Sequence, residues 1–147
     1  MSQGDLKRFA LFGELSQDER ETLYEEMERV EVDPGDALFR EAEEANSLVL
    51  VVHGRVRLES NRAGALGAVG PGAALGAVSL VAVGPREASA FAETKCRLLV
   101  LRRSAFRRLV EDAPRAACRL AEAIASDVAG LLRSGLEPLL RNPVDRS

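Results

Sequence analysis

The sequence is poor in aromatic residues, cysteine, histidine and lysine, and it has no long apolar run. Aromatic residues make up 4% of the 147 residues and tryptophan is absent, which argues against a nucleic-acid surface built on base stacking. The longest apolar runs, residues 47–52 and 98–101, are far shorter than the roughly 20 residues of a membrane span. The amino terminus has neither a basic stretch nor an apolar core, so no secretory signal is visible. We therefore expect a cytoplasmic protein that does not associate with membranes.

Reactive side chains are equally scarce. Cys96 and Cys118 have no companions at zinc-ligand spacing, and we interpret both as reduced thiols packed in the core, with a redox switch as the alternative. His53, the single histidine, precedes a turn glycine, which favours a surface turn over a haem or metal ligand. No nucleophile–base pair or metal cluster is recognisable. We expect no metal and no enzymatic activity.

Charge is unevenly distributed along a chain of one-domain length. The net charge is −3, but residues 1–46 carry fourteen acidic and five basic groups, whereas residues 95–147 carry six acidic and eleven basic groups. The two ends are predicted to attract each other within one molecule or between subunits. An isoelectric point near 5.3 disfavours DNA binding by bulk charge. An arginine cluster is interpreted as a solvated helix face, with nucleic acid or an acidic partner as alternatives; it comprises Arg102, Arg103, Arg107 and Arg108.

Helical patterns at both ends enclose a middle segment with a period of two. The patterns divide one domain into N-terminal helices (1–28), a β segment (29–103), C-terminal helices (104–134) and a flexible tail (135–147). Ser16 and Glu19 form a capping box, Ser104 is a candidate cap, and the last helix is expected to begin at Pro114 and end at Gly135. The apolar stripe of this last helix is rich in alanine, which permits close approach of a partner helix.

The middle segment predicts about eight short strands. Glycines recur at roughly 8–12-residue spacing, as in a compact barrel or roll. Residues 33–36, Asp-Pro-Gly-Asp, predict a tight turn, and His53-Gly54 predicts a hairpin corner.

Four stretches in this order resemble one known family. They are residues 11–16 (LFGELS), 32–41 (VDPGDALFRE), 46–57 (NSLVLVVHGRVR) and 69–80 (VGPGAALGAVSL) with 85–89 (PREAS). Together they resemble the cyclic nucleotide-binding domain of catabolite-activator-type regulators and cyclic-nucleotide-gated proteins, over about residues 6–132. The resemblance implies an α+β, mainly β fold: a β-roll (double-stranded β-helix or jelly roll) flanked by N-terminal helices and two C-terminal helices.

The last stretch resembles the family's phosphate-binding cassette, here called the cassette (residues 69–89). Its usual form is Phe-Gly-Glu-Leu-Ala-Leu, followed nine or ten residues on by Arg-Ser-Ala or Arg-Thr-Ala. The resemblance implies that the Gly admits the phosphate, the Glu accepts from the ribose 2′-hydroxyl, the Arg neutralises the phosphate and the Ser or Thr donates to it. The corresponding residues here are Gly76, Ala77, Val78, Ser79, Arg86, Glu87 and Ala88.

Two of these positions depart from the family pattern. Ala77 cannot accept a hydrogen bond, and the loss of a charged hydrogen bond costs about 1.5–3 kcal/mol. Glu87 places a carboxylate where a donor is expected, which costs about 3 kcal/mol if it lies ~5 Å from the phosphate. We therefore expect no tight binding of cAMP or cGMP in the usual mode. Arg86 is interpreted as structural, pairing with Glu87, Glu93 or a carbonyl; weak binding of a cyclic nucleotide or another anion is the alternative.

The resemblance also implies that the last helix forms a dimer seam. We expect a homodimer through Leu120, Ile124, Val128 and Leu131, with packing of this stripe back onto the chain's own roll as the rival. No candidate helix-turn-helix follows the last helix, so DNA binding by this chain alone is not expected. The leading hypothesis is a stand-alone regulatory or interaction module with a protein partner. The alternative is a sensor that binds an anion at Arg86 and signals through the C-terminal helix.

Overall fold

Two four-stranded antiparallel sheets face each other in the computed structural model, which describes residues 2–141 of the chain, with side chains to residue 134. The strand orders are β1-β8-β3-β6 and β2-β7-β4-β5. The strands are β1 (Glu28–Val32), β2 (Ala37–Phe39), β3 (Ser47–His53), β4 (Val56–Ser60), β5 (Gly64–Val69), β6 (Ala74–Leu75), β7 (Ser89–Ala92) and β8 (Cys96–Arg102). The predicted mainly β roll flanked by helices is confirmed.

The tight turn predicted at residues 33–36 is present, with the Asp36 amide donating to the Asp33 carbonyl at 3.0 Å. The hairpin predicted at His53-Gly54 is wrong, because this turn, like the first, carries the chain from one sheet to the other. Strand β1 pairs with β8 whereas β2 pairs with β7, and β3 pairs with β6 and β8 whereas β4 pairs with β5 and β7. Gly54 makes the second corner with a φ of +96°, and a Cβ there would lie 2.6 Å from the Cys96 sulfur. Period and turn signals locate strand ends, but the choice of pairing partner depends on contacts distant in sequence.

The N-terminal segment forms two short 3-10 helices, Gln3–Arg8 and Ala10–Phe12, followed by α1 (Gln17–Glu25). The predicted capping box is confirmed. The Glu19 amide donates to Ser16 Oγ at 3.2 Å, and the Ser16 amide donates to Glu19 Oε1 at 2.8 Å. Both orphan amides at the helix start are therefore satisfied by side chains.

The two C-terminal helices are α2 (Arg103–Asp112) and α3 (Pro114–Arg141). Ser104 does not cap α2, because the helix already begins at Arg103 and the capping position is Arg102. The predicted end of α3 at Gly135 is also wrong, since the helix continues to Arg141. A glycine costs a helix only about 1 kcal/mol relative to alanine, so it does not by itself end one. Residues 142–147 of the expected tail lie outside the described residues.

The first half of α3 belongs to the core of its own chain. Leu120 is 0% exposed and Ile124 is 2% exposed, and both pack in a cluster with Phe9, Phe12 and other residues from the N-terminal helices, α2, β3 and β8. The expectation that Leu120 and Ile124 form a dimer seam is therefore wrong, because their own chain covers them. The rival prediction is right only in that the stripe packs within one chain, since it lies chiefly against the N-terminal helices and α2 and not against the roll. The stripe leaves the core further on, where Val128 is half-buried and Leu131 is 69% exposed.

The acidic and basic ends of the sequence meet within one molecule. Among the described residues, five ion pairs join a glutamate of the first 46 residues to an arginine of the last third: Glu19–Arg119 (3.1 Å), Glu26–Arg108 (3.5 Å), Glu28–Arg102 (2.7 Å), Glu31–Arg97 (3.7 Å) and Glu44–Arg103 (3.8 Å). The hydrogen bond from Arg102 lowers the pKa of Glu28. Most of these side chains are exposed, so each pair adds little stability, but together they oppose misalignment of α1, β1 and the C-terminal segments.

The two cysteines differ in environment. Cys96 is buried beside the Gly54 corner, as expected for a packed thiol. Cys118 is exposed on α3, so its predicted burial is wrong; a hydrogen bond to Glu122 raises its pKa. The adjacent Ala116, Ala117 and Leu120 occupy the buried face instead.

Replacing Leu120 by Ala should lower the free energy of unfolding by about 2–5 kcal/mol, because the side chain is fully buried and its loss leaves a cavity. Val110→Ala on α2 is the control; Val110 is 50% exposed, so the change should stay within about 0.5 kcal/mol. Urea unfolding followed by circular dichroism measures both. Equal effects of the two substitutions would contradict the burial of the first half of α3.

Candidate functional site

The cassette forms a tight turn between β6 and β7. Strand β6 ends at Leu75, Gly76 adopts a left-handed conformation with φ +74°, and a one-turn 3-10 helix follows at Ala77–Leu80. Residues 81–88 then lead into β7. The expected helix start at Gly76 is therefore present, although the helix is short and has 3-10 geometry.

Gly76 is required by its neighbours as well as by its backbone angle. A Cβ at this position would lie 2.1 Å from Arg86 Nη1 and 3.0 Å from the Ser47 carbonyl oxygen. Any side chain would displace the guanidinium. Gly76 and Arg86, ten residues apart in sequence, thus form one packed unit at the start of the short helix.

Arg86 is buried, with 7% of its surface exposed, and is bound to β3. Its Nη2 donates to the Ser47 carbonyl at 3.1 Å and to Ser47 Oγ at 3.0 Å, and its guanidinium carbon lies 4.1 Å from the centroid of the Phe39 ring. Of the partners considered from sequence, a carbonyl is correct, whereas Glu87 and Glu93 make no ion pair with it. Burial lowers the pKa of Arg86, and the negative charge of Glu43 opposes that shift.

Part of the Arg86 guanidinium has no protein acceptor. Nε is buried and makes no hydrogen bond, and both bonds of the group use Nη2. A buried donor without an acceptor costs about 1–3 kcal/mol. The packed unit formed with Gly76 therefore retains unused hydrogen-bonding capacity.

The remaining cassette residues comprise one buried, hydrogen-bonded serine and several more exposed side chains. Ser79 is buried and its hydroxyl donates to the same Ser47 carbonyl at 2.8 Å. Ala77 and Ala88 are half-buried, Val78 is 47% exposed, and Glu87 is exposed.

A cavity of about 680 Å³ lies between the cassette and α3. The cassette supplies its inner wall, Phe39 and Leu58 contribute from the second sheet, and Asp127, Val128 and Leu131 contribute from the helix. The structure therefore brings every cassette residue predicted from sequence, from Gly76 to Ser79 and from Arg86 to Ala88, around one cavity. Two of the four predicted seam residues, Val128 and Leu131, also line it.

The sequence profile of the family described as "Cyclic nucleotide-binding domain" matches residues 29–113, more than half of the chain. The chain belongs to this family. Solved structures similar to it include the N-terminal domain of a transcriptional regulator from Streptomyces coelicolor A3(2), with 30% identity, a TM-score of 0.77 and coverage of 86% of this chain and 94% of that one. The catabolite activator protein of Thermus thermophilus is similar at 30% identity and a TM-score of 0.75, covering 88% of this chain and 61% of that one.

A curated relative is much longer than this domain. The chain is 28% identical over 125 residues to the lysophospholipase nte1 of Aspergillus fumigatus. The aligned segment makes up 82% of this chain but only 8% of that protein. This match concerns the domain and not the rest of the enzyme. No helix among the described residues is long and apolar enough to span a bilayer.

Arg103 was predicted from the sequence to lie on a solvated helix face, and this prediction is wrong. Its side chain is 11% exposed, and its Nε donates to the Ser79 carbonyl at 2.6 Å. Its Nη2 donates to the carbonyls of Ala45 and Ala82. Arg103 thereby joins the first turn of α2 to the end of the cassette helix. Nothing in its sequence context separates it from Arg107 and Arg108, which are exposed as expected.

Side chains that could bind a metal ion are not clustered in the described part of the chain. No group of three or more His, Cys, Asp or Glu side chains is close enough to hold an ion within residues 2–134. His53 is exposed at the end of β3, in agreement with the predicted surface turn.

Gly76→Ala should cost more stability than Gly64→Ala, although both glycines have φ angles near +70°. A Cβ at Gly64 meets nothing within 4 Å, so that variant measures the backbone cost alone, about 1–2 kcal/mol. The additional loss at Gly76 should reach about 1.5–3 kcal/mol, because Arg86 must leave its Ser47 acceptors. Chemical unfolding of both variants provides the comparison, and equal losses would contradict the packed unit.

Proposed function

We propose that this domain is a regulatory and protein-interaction module that does not bind cAMP or cGMP in the usual mode of its family, and that it is not an enzyme. The observation that carries the proposal is Ala77 on the wall of the cavity. At this position the family's cassette has a carboxylate for the ribose 2′-hydroxyl. A methyl group at this position removes the acceptor that the family's glutamate supplies.

Glu87 is exposed and can turn to water, so its repulsion of a phosphate is weaker than the sequence alone predicts. Ala77 therefore carries more of the argument than Glu87.

The regulatory part of the proposal rests on the relatives. The Streptomyces domain is described as part of a transcriptional regulator, and it covers nearly the same extent of chain as this domain. In this chain α3 lines the cavity, so a molecule bound there would contact the helix directly. A second candidate function is an anion sensor that signals through α3; the position of Arg86 on the cavity wall, with both of its hydrogen bonds made by Nη2, favours it.

Binding of cAMP and cGMP, measured by calorimetry, should be weaker than about 1 mM for the natural chain. The double substitution Ala77→Glu with Glu87→Ser should tighten cAMP binding by about 10- to 150-fold, because it restores the acceptor, worth roughly 1.5–3 kcal/mol, and removes the weakly acting charge of the exposed Glu87. Val81→Glu with Glu87→Ser is the matched control, since Val81 is 52% exposed and does not line the cavity. Micromolar binding to the natural chain, abolished by Arg86→Ala, would contradict the proposal.

We further propose that the outer part of α3 forms a homodimer. Leu131 and Leu132 on the helix are more than 60% exposed, and Val78 and Val83 of the cassette lie exposed across the cavity from Leu131. Apolar side chains grouped in this way favour a covering surface. The interface would be shifted toward the carboxyl end of the helix, away from Leu120 and Ile124.

Light scattering on the natural chain should show a dimer, and Leu131→Glu should give a monomer because it places a charge in the proposed interface. Val110→Glu on α2 is the control. Val110 is also an exposed apolar residue, and the substitution introduces the same carboxylate outside α3. A natural chain that is monomeric at all concentrations tested contradicts the dimer.

A further inference from the structure

The cavity between the cassette and α3 has a marked polarity that points to a ligand other than a nucleotide. Among the described residues that line it, Arg86 is the single cation, and it is buried at the inner end. The acidic residues are Glu87 and Asp127, and both are exposed. The cavity is thus positive at its floor and negative at its rim.

Most of the wall between floor and rim is apolar. The lining includes Leu58, Leu75, Val78, Val83, Val128 and Leu131. The Ser79 hydroxyl is already bonded to the Ser47 carbonyl and is not available as a donor to a ligand. A ligand rich in hydroxyl groups would therefore lose hydrogen bonds to water without regaining them here.

Arg86 supplies an anion subsite that is built and incompletely used. The side chain is more than nine-tenths buried, and its Nη1, which lies against Gly76 at the cavity floor, makes no hydrogen bond among the described residues, since both bonds of the group use Nη2. Stacking on Phe39 and two bonds to Ser47 hold the guanidinium in place without a ligand. A preorganised cation of this kind binds an anion without first losing side-chain entropy.

We propose that this cavity binds an organic monocarboxylate with an apolar body, its carboxylate at Arg86 and its body along the apolar wall toward α3. The inference deepens the proposed function, because it rests on the absence of a ribose acceptor at Ala77. A single charge is required: a second anionic group at the outer end of the ligand would face Asp127. A volume of about 680 Å³ lies within the range of small-molecule sites.

Calorimetry with 3-phenylpropanoate and octanoate tests the proposal, with 3-phenylpropan-1-ol as the neutral analogue and octanedioate as the analogue with a second carboxylate at its outer end. At least one monocarboxylate should bind with a dissociation constant at or below about 300 μM, a reasonable value for ligands of this size. The alcohol and the dicarboxylate should bind at least tenfold more weakly. A dissociation constant above about 300 μM for both monocarboxylates, or equal binding of acid and alcohol, would overturn the proposal.

Two variants locate the bound carboxylate. Arg86→Gln should abolish binding, but the buried arginine also supports the fold, so circular dichroism must first establish that the variant is folded. Ala77→Glu does not depend on that outcome: it adds a negative charge to the cavity wall and should weaken carboxylate binding at least tenfold. Val81→Glu, with the same charge outside the cavity, should change it less than twofold. Equal effects of the two glutamates would place the ligand elsewhere and overturn the proposal.

The same titrations separate this inference from the proposed function. Tight cAMP binding to the natural chain overturns the proposed function whatever the carboxylates do. Absence of binding by cAMP and carboxylates alike overturns the inference only, and leaves an interaction module without a ligand.

Discussion

The burial of the Arg86 guanidinium is the constraint on which the cassette depends. A charged group removed from water must be compensated, and here Ser47 on the central strand β3 supplies two acceptors while Phe39 supplies an aromatic face. The compensation is incomplete, because Nε remains without an acceptor. Gly76 has to be a glycine for the same reason: the guanidinium occupies the space that a side chain would need.

Two arginines hold the cassette from opposite sides. Arg86 binds it to β3 through Ser47, and Arg103 binds the carbonyl of Ser79 to the start of α2. Ser79 itself donates to the Ser47 carbonyl, so the three contacts form a connected polar network beneath the cavity. Connected networks of this kind rigidify the backbone around them. Any ligand that engages Arg86 therefore acts on a segment physically joined to the C-terminal helices.

Helix α3 has two roles along its length. Leu120 and Ile124 complete the core shared with the N-terminal helices, whereas Val128 and Leu131 face the cavity. One continuous apolar stripe thus packs in the core over its first half and lines the cavity further along the helix. This division explains why a substitution at Ile124 would report on folding and not on association.

The sequence by itself determined the helical ends, the mainly β middle segment and the Ser16 capping box, because these depend on local period, turn chemistry and side-chain type. The resemblance to the family located the cassette and identified Ala77 as a lost acceptor. Only the tertiary structure decided which strands pair, that Arg86 bonds to Ser47 thirty-nine residues away, and that Arg103 bonds to the Ser79 carbonyl. Those outcomes depend on which distant groups compete for the same space and the same carbonyl oxygens, and local pattern carries no record of that competition.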